Sequence, residues 1–217
     1  MYKGLEPNGG VCMRRFEYGW LQSLSWDMDI LSLIAGIYRA NGKEEVLLSQ
    51  SHAILDSLVE LAKVQSTEAS NAIEGIVTTS TRLRQLVADK TTPRNRDEQE
   101  IMGYRDALNV IHESYDSISL CRNHILQLHK ILYNYQFNAR GGQLKSVQNY
   151  ISATYPDGRT EVLFTPLAPY ETAEALDQIC AEYNRVVGNG EVEPLLAIPI
   201  FIHDFLCIHP FNDGNGR

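Results

Sequence analysis

A chain of 217 residues, 44% hydrophobic and 21% charged, is long enough to bury a substantial core as one unit. Its 19 basic against 27 acidic residues leave a net charge of -8, which opposes nonspecific attraction to a phosphate backbone and disfavours nucleic acid as a partner. No window is a long unbroken apolar run, and the N-terminus has no apolar block followed by a small-residue cleavage site, so a cytoplasmic chain with no membrane partner is expected. Cys12, Cys121, Cys180 and Cys207 are scattered without a C-x-x-C pair, which argues against a zinc knuckle or a disulfide framework and reads as four buried thiols.

In chain order, Leu24, Met28, Leu31, Ile34 and Ile37 recur at helical spacing from Leu21 to Ala40, with Asn41-Gly42 as the stop. A second helix fits Glu44 to Lys63, with Leu48, Ile54, Leu55, Leu58 and Leu61 offered to a core. A shorter helix runs from Ser66 to Glu74 and ends at Gly75. Thr81 to Ala88 is helical, and the polar DKTTPRNRD stretch is a loop in which Asn95 or Asp97 caps the next helix. Ile101, Tyr104, Leu108 and Ile111 define that helix, and Ile125, Leu128, Ile131 and Leu132 another. After Arg140-Gly141-Gly142, SVQNYIS and EVLFT have strand composition, joined by the turn YPDGR. Glu171 to Val187 is helical again. Pro194 to Ile208 is a strongly apolar helix with Pro199 expected to kink it. The fold class is therefore mainly α with one β-hairpin.

The chain closes on His209-Pro210-Phe211-Asn212-Asp213-Gly214-Asn215-Gly216-Arg217. Each chemical type has a use in phosphate chemistry. Spaced glycines let backbone N–H groups approach an anion. Arg217 offers a planar multi-donor fork. Asp213 is a hard oxygen ligand of the kind that holds Mg²⁺ together with nucleotide phosphates. His209 titrates near neutrality and can take a proton from a hydroxyl.

The nine residues match H-P-F-x-[D/E]-G-N-G-R at every specified position, and the chain resembles the Fic family from roughly Val77 onward, including the apolar helix LLAIPIFIHDFLCI. The resemblance implies a Fic-type helical core over residues 77–217 with a hairpin flap, and an N-terminal helical region over residues 1–76. It implies a protein adenylyltransferase that moves AMP from ATP to a Ser, Thr or Tyr hydroxyl of a target protein, with Mg²⁺ as cofactor. By motif position, His209 is the base, Asp213 holds the metal, Gly214, Asn215 and Gly216 form the phosphate loop, Arg217 contacts the triphosphate, and Phe211 fixes the loop by packing. Val147, Gln148, Asn149, Tyr150 and Ile151 belong to the flap that docks the target. Gly142-Gln143-Leu144-Lys145 departs from the family, where arginine commonly follows the glycine by three positions.

Upstream, Ser70-Asn71-Ala72-Ile73-Glu74-Gly75 fits the family's inhibitory pattern [S/T]-x-x-x-E-[G/N]. A carboxylate in the last turn of a helix is unfavourable against the macrodipole, which marks Glu74 as odd on structural grounds alone. The resemblance implies that Glu74 enters the nucleotide site and pairs with a motif arginine, with Ser70 one turn earlier on the same face. In some relatives that glutamate also supports removal of AMP.

Competing readings are transfer of UMP, phosphocholine or phosphate on the same scaffold, and an ATP-binding regulatory module without turnover. A P-loop is disfavoured because Gly36 to Lys43 has one residue too many and Glu44 follows in place of Ser or Thr. A metal hydrolase from His203, Asp204, His209 and Asp213 is disfavoured by the histidine spacing and by Pro210. A homodimer is left open. Relatives continue past the motif, so the chain is expected to be truncated after the loop, with weak ATP binding and little activity alone.

Overall fold

The computed structural model describes residues 16–48, 52–136 and 141–217, with side chains described in these ranges outside residues 45–56. Among the described residues the order is α1 (Met28–Leu48), α2 (His52–Ile73), α3 (Ser80–Val87), α4 (Arg96–Ser114), α5 (Arg122–Leu132), β1 (Ile151–Thr154), β2 (Thr160–Phe164), α6 (Pro169–Gly188) and α7 (Pro194–Ile208). Short 3₁₀ turns stand at Gly19–Ser23 and Tyr115–Ser117. The mainly helical class with one antiparallel hairpin is as expected.

The N-terminal boundaries are not. Asn41-Gly42 lies inside α1, which continues to Leu48, and α2 runs unbroken where two helices were expected. An internal glycine costs about 1 kcal/mol relative to alanine, which a long helix absorbs. Leu58 and Leu61, offered to a core, are exposed, as are Leu31 and Ile37 of the first helical pattern. The side chains of Leu48, Ile54 and Leu55, and Cys12, lie outside the described residues. Of the other cysteines only Cys180 is buried, while Cys121 and Cys207 are half-buried. Gly36 to Lys43 is helical and forms no phosphate loop.

Caps fix the remaining starts. The Thr79 hydroxyl accepts the Arg82 N–H, the Asn95 side chain accepts the Glu98 N–H at 2.9 Å, and Pro194 occupies the first turn of α7. Arg82 and Glu98 then clamp α3 to α4 through two 2.8 Å bonds. That pairing holds the buried Glu98 carboxyl down at about 2.

The core has four parts. Phe16 joins Leu176, Ile179 and Ile208 between α6 and α7, and Tyr18 and Leu21 extend that packing toward Val186 and Ala197. Leu83, Leu86, Ile101 and Met102 join α3 to α4, while Ala107, Leu132 and Tyr133 join α4 to α5. Gly103 permits a very close α4–α5 approach, since a Cβ there would stand 1.9 Å from the Leu132 carbonyl oxygen. The consequence is positional: Glu100 on α4 is brought to the same place as Tyr133, just past α5, and the end of α7. Helix α7 continues through Pro199 and ends at His209 in the left-handed region, φ 50° and ψ 63°.

Candidate active site

The loop after α7 is folded on itself. Buried Asn215 accepts the Phe211 N–H at 2.8 Å and donates to the Phe211 carbonyl at 2.9 Å. Phe211, 2% exposed, stacks on the His129 ring at 3.6 Å between centroids and 8° between planes, which gives it the packing role expected of it. Gly214 has φ +78°, and a Cβ there would stand 2.8 Å from Tyr133 Oη, so both conformation and contact call for glycine.

His129 is a strut. It accepts the Gly142 N–H at Nδ1 (2.8 Å), which fixes the tautomer, and its Nε2–H donates to the Asp213 carbonyl at 3.0 Å. Burial, the largest cause, pushes its pKa down, the Arg217 charge adds to this, and the ring is neutral as the two bonds require.

His209 is half-buried, with Nδ1 fully buried and without a partner among the described residues. Its pKa is lowered, chiefly by burial and further by the Lys145 charge, against opposing contributions from the Leu206 backbone and Glu74. The imidazole is therefore neutral at pH 7, the form that accepts a proton. A non-glycine residue in the left-handed region is strained and persists only where its surroundings over-determine it. Here the surroundings are Asn149, whose amide donates to the His209 and Phe211 carbonyls (3.3 and 3.0 Å), and Lys145. Lys145, 3% exposed, donates from Nζ to the Ile208 carbonyl at 2.9 Å and to Asn149 Oδ1 at 3.0 Å, and from its backbone to the Pro210 carbonyl at 2.8 Å.

The charged residues divide sharply. Arg217 is tied inward: its guanidinium donates to Glu100 Oε2 at 2.7 Å and to Tyr133 Oη at 3.1 Å, and its side chain is only 2% exposed. Glu100 is shared with Arg96, whose Nε donates to Oε1 at 2.8 Å. Arg96 is exposed and stands 3.6 Å from Asp213 Oδ2. Asp213 is more than half exposed on the loop, which leaves its carboxylate accessible. That donor type suits Mg²⁺ completed by phosphate oxygens, and among the described residues no three His, Cys, Asp or Glu side chains converge as a protein-only cage.

Helix α2 ends in a Schellman arrangement: the Ile76 N–H bonds to the Asn71 carbonyl, the Gly75 N–H to Ala72, and Gly75 has φ +76°. This turn aims Glu74 at the loop. A Cβ on Gly216 would stand 2.3 Å from Glu74 Oε1, so the carboxylate lies directly against the glycine. Ser70 is half-buried one turn earlier. Arg217 pairs with Glu100, because α4 delivers a buried carboxylate to it, while Glu74 meets the loop at Gly216.

The hairpin pairs Ile151 with Phe164 and Thr154 with Thr160, and both strands are largely exposed. Of the five flap residues named from sequence, Val147, Tyr150 and Ile151 are exposed. Gln148 and Asn149 instead turn inward, Gln148 donating to the Pro166 and Asn149 carbonyls. The strand also begins later than SVQNYIS suggested, at Ile151.

Fold and site together define a mainly helical chain in which α7 leads through a neutral histidine into a glycine-rich loop. Residues 119–217 match the model of the Fic/DOC family. A solved Fic-domain-containing signaling protein from Bacteroides thetaiotaomicron matches with a TM-score of 0.70 at 23% identity, over 83% of this chain and 68% of that one. A Fic family protein from Desulfovibrio desulfuricans G20 gives 0.66 at 22% identity, over 89% and 55%. In sequence, the protein adenylyltransferase fic-1 of Caenorhabditis elegans is 26% identical over 127 residues, 56% of this chain and 22% of that protein. The protein adenylyltransferase Fic of Nematostella vectensis is 25% identical over 156 residues, 68% and 33%. The matched part thus spans a third or less of these two relatives. The C-terminal part of the chain, residues 119–217, thus carries the match to the Fic/DOC family, on a fold shared with solved Fic-domain structures.

Proposed function

We propose that this chain transfers AMP from ATP to a hydroxyl of a target protein and that Glu74 holds the reaction off. The observation that carries the reading is the neutral His209 at the mouth of the Gly214–Gly216 loop, on a scaffold whose relatives are named protein adenylyltransferases. With Nδ1 buried, Nε2 is the nitrogen available to a substrate. It takes the proton of the target hydroxyl as that oxygen bonds to the α-phosphorus, and the bond from phosphorus to the bridging oxygen of pyrophosphate breaks. Backbone N–H groups of the Gly214–Gly216 loop would hold phosphate oxygens, that of Gly214 once released from Asp213 Oδ1, to which it donates at 2.8 Å, and Asp213 would hold Mg²⁺. When bound, the ion supplies charge neutralisation to the leaving polyphosphate. Arg217 acts from behind the loop, bracing it through Glu100 and Tyr133, and Arg96 presents the exposed cation beside Asp213.

The contact of Glu74 with Gly216 supports the inhibitory role, since a carboxylate there competes for space and charge with a phosphate. Val147, Tyr150 and Ile151 offer the flap surface on which an extended target segment docks by strand addition. The region up to residue 76 serves in this reading as the carrier of the inhibitory helix. The test is incorporation of labelled AMP by the parent chain, Glu74→Gly, and Glu74→Gly with His209→Ala. Glu74→Gly is expected to raise incorporation and the added His209→Ala to abolish it. An added mass other than AMP would replace the donor in this reading. ATP binding without transfer, even in Glu74→Gly, would overturn it in favour of a regulatory module.

A further inference from the structure

We propose that Lys145 is a positioning residue for His209, tying the end of α7, the loop and the base of the flap into one unit and setting a positive charge behind the imidazole. The inference rests on the reading of His209 as the base. It begins from the strain at His209. The left-handed conformation ends the α7 helix at His209, and the peptide groups on either side must be held there. The Lys145 ammonium bonds the carbonyl just before His209, that of Ile208, and its backbone N–H bonds the carbonyl just after it, that of Pro210. Through Asn149 Oδ1 it also orients the amide that donates to the carbonyls of His209 and Phe211. Four consecutive carbonyls, from Ile208 to Phe211, are thereby held by two side chains and one backbone group.

Among the described residues this buried ammonium bonds no carboxylate, and desolvation lowers its pKa to about 8. A neutral donor could have made the same bonds, so the retained charge needs an electrostatic use. That use is on the imidazole: Lys145 favours the neutral ring, while Glu74, reaching in from the end of α2, favours the protonated one.

The experiment is an NMR titration of His209 in the parent chain, Lys145→Met, Lys145→Arg and Asn149→Ala, with AMP incorporation followed in the Glu74→Gly background. Lys145→Met is expected to raise the His209 pKa and to slow incorporation at pH 7 at least tenfold. Lys145→Arg should restore both, and Asn149→Ala should slow incorporation while leaving the His209 pKa low. Lys145→Gln, which keeps a donor without the charge, gives the same pKa comparison if the methionine variant does not fold. An unchanged His209 pKa on loss of the charge would overturn the proposal, as would an equal rise in Asn149→Ala. If His209 shifts as expected but no variant transfers AMP, the positioning role stands and the transferase reading falls.

Discussion

Replacing Gly103 by alanine tests how the site is assembled. The added Cβ would lie 1.9 Å from the Leu132 carbonyl oxygen, 2.6 Å from its carbon and 3.0 Å from its Cα. All three are backbone atoms, so no rotamer change relieves the clash, and α4 and α5 must part by roughly 1.5 Å to reach ordinary contact near 3.4 Å. Overpacking costs about 1–3 kcal/mol where neighbours can give, and a backbone-to-backbone clash belongs at or above the top of that range. The damage reaches the site: Glu100 lies one turn before Gly103, and its 2.7 Å bond to Arg217 spans the gap that opens. Urea unfolding followed by circular dichroism should show the midpoint falling by about 1 M or more with an unchanged slope. The loop should also lose amide protection at Phe211. A variant within about 0.5 kcal/mol of the parent would refute the close approach and the assembly argument with it.

Asn215→Ala removes the acceptor of the buried Phe211 N–H and one of two donors to its carbonyl, which keeps Asn149, and should cost about 1–3 kcal/mol for the N–H left unpaired; thermal or urea unfolding measures it, and a loss below about 0.5 kcal/mol would mean that water replaces the side chain. His129 has a lowered folded pKa, so its contribution is complete above the ordinary 6.5 and is lost as pH falls through the folded value. Exchange at the Gly142 amide should therefore accelerate on acidification beyond its intrinsic pH trend, and His129→Gln should remove the excess. Lys145 works at the other end of the scale. Its folded value of about 8 lies below the ordinary 10.5, so the unfolded chain binds more protons between the two and stability should rise with pH across that window, by about 3 kcal/mol at most. Lys145→Met should lack that rise.

The chemistry-bearing loop was legible because it is contiguous. Nine adjacent residues carry base, carboxylate, glycines and cation, and the apolar run before them fixes the helix that delivers them. Its supports were not legible, because they are local in space and remote in sequence. Glu100 reaches Arg217 across 117 positions, and His129 reaches Asp213 across 84. Nothing in the α4 pattern distinguishes Glu100 from a solvated acid. Gly141-Gly142 was visible as a break, but its reason, packing against Lys130 and Tyr133 and donating to His129, needs the fold. Lys145 did leave a trace, as a departure from a family pattern. Asn41-Gly42 misled for a physical reason, since a turn-forming pair inside a long helix costs less than ending the helix there.

Glu74 therefore has two effects that reinforce one another. Its carboxylate lies against Gly216, where on the proposed reading it would obstruct an anion, and its charge favours a proton on His209, where it would weaken the proposed base. Lys145 opposes only the second effect, from the buried side of the same imidazole. A ligand that displaces Glu74 consequently gains the loop and leaves Lys145 as the unopposed neighbour of His209, so the base becomes more fully neutral as the phosphate arrives. The phosphate is itself anionic and pulls the other way, which is why a fixed buried cation is needed behind the ring. The cation of the motif cannot serve, because Arg217 is neutralised by Glu100 and Arg96 is drawn toward Asp213. Lys145 is the ammonium bonded to the Ile208 carbonyl, in the peptide that leads into His209.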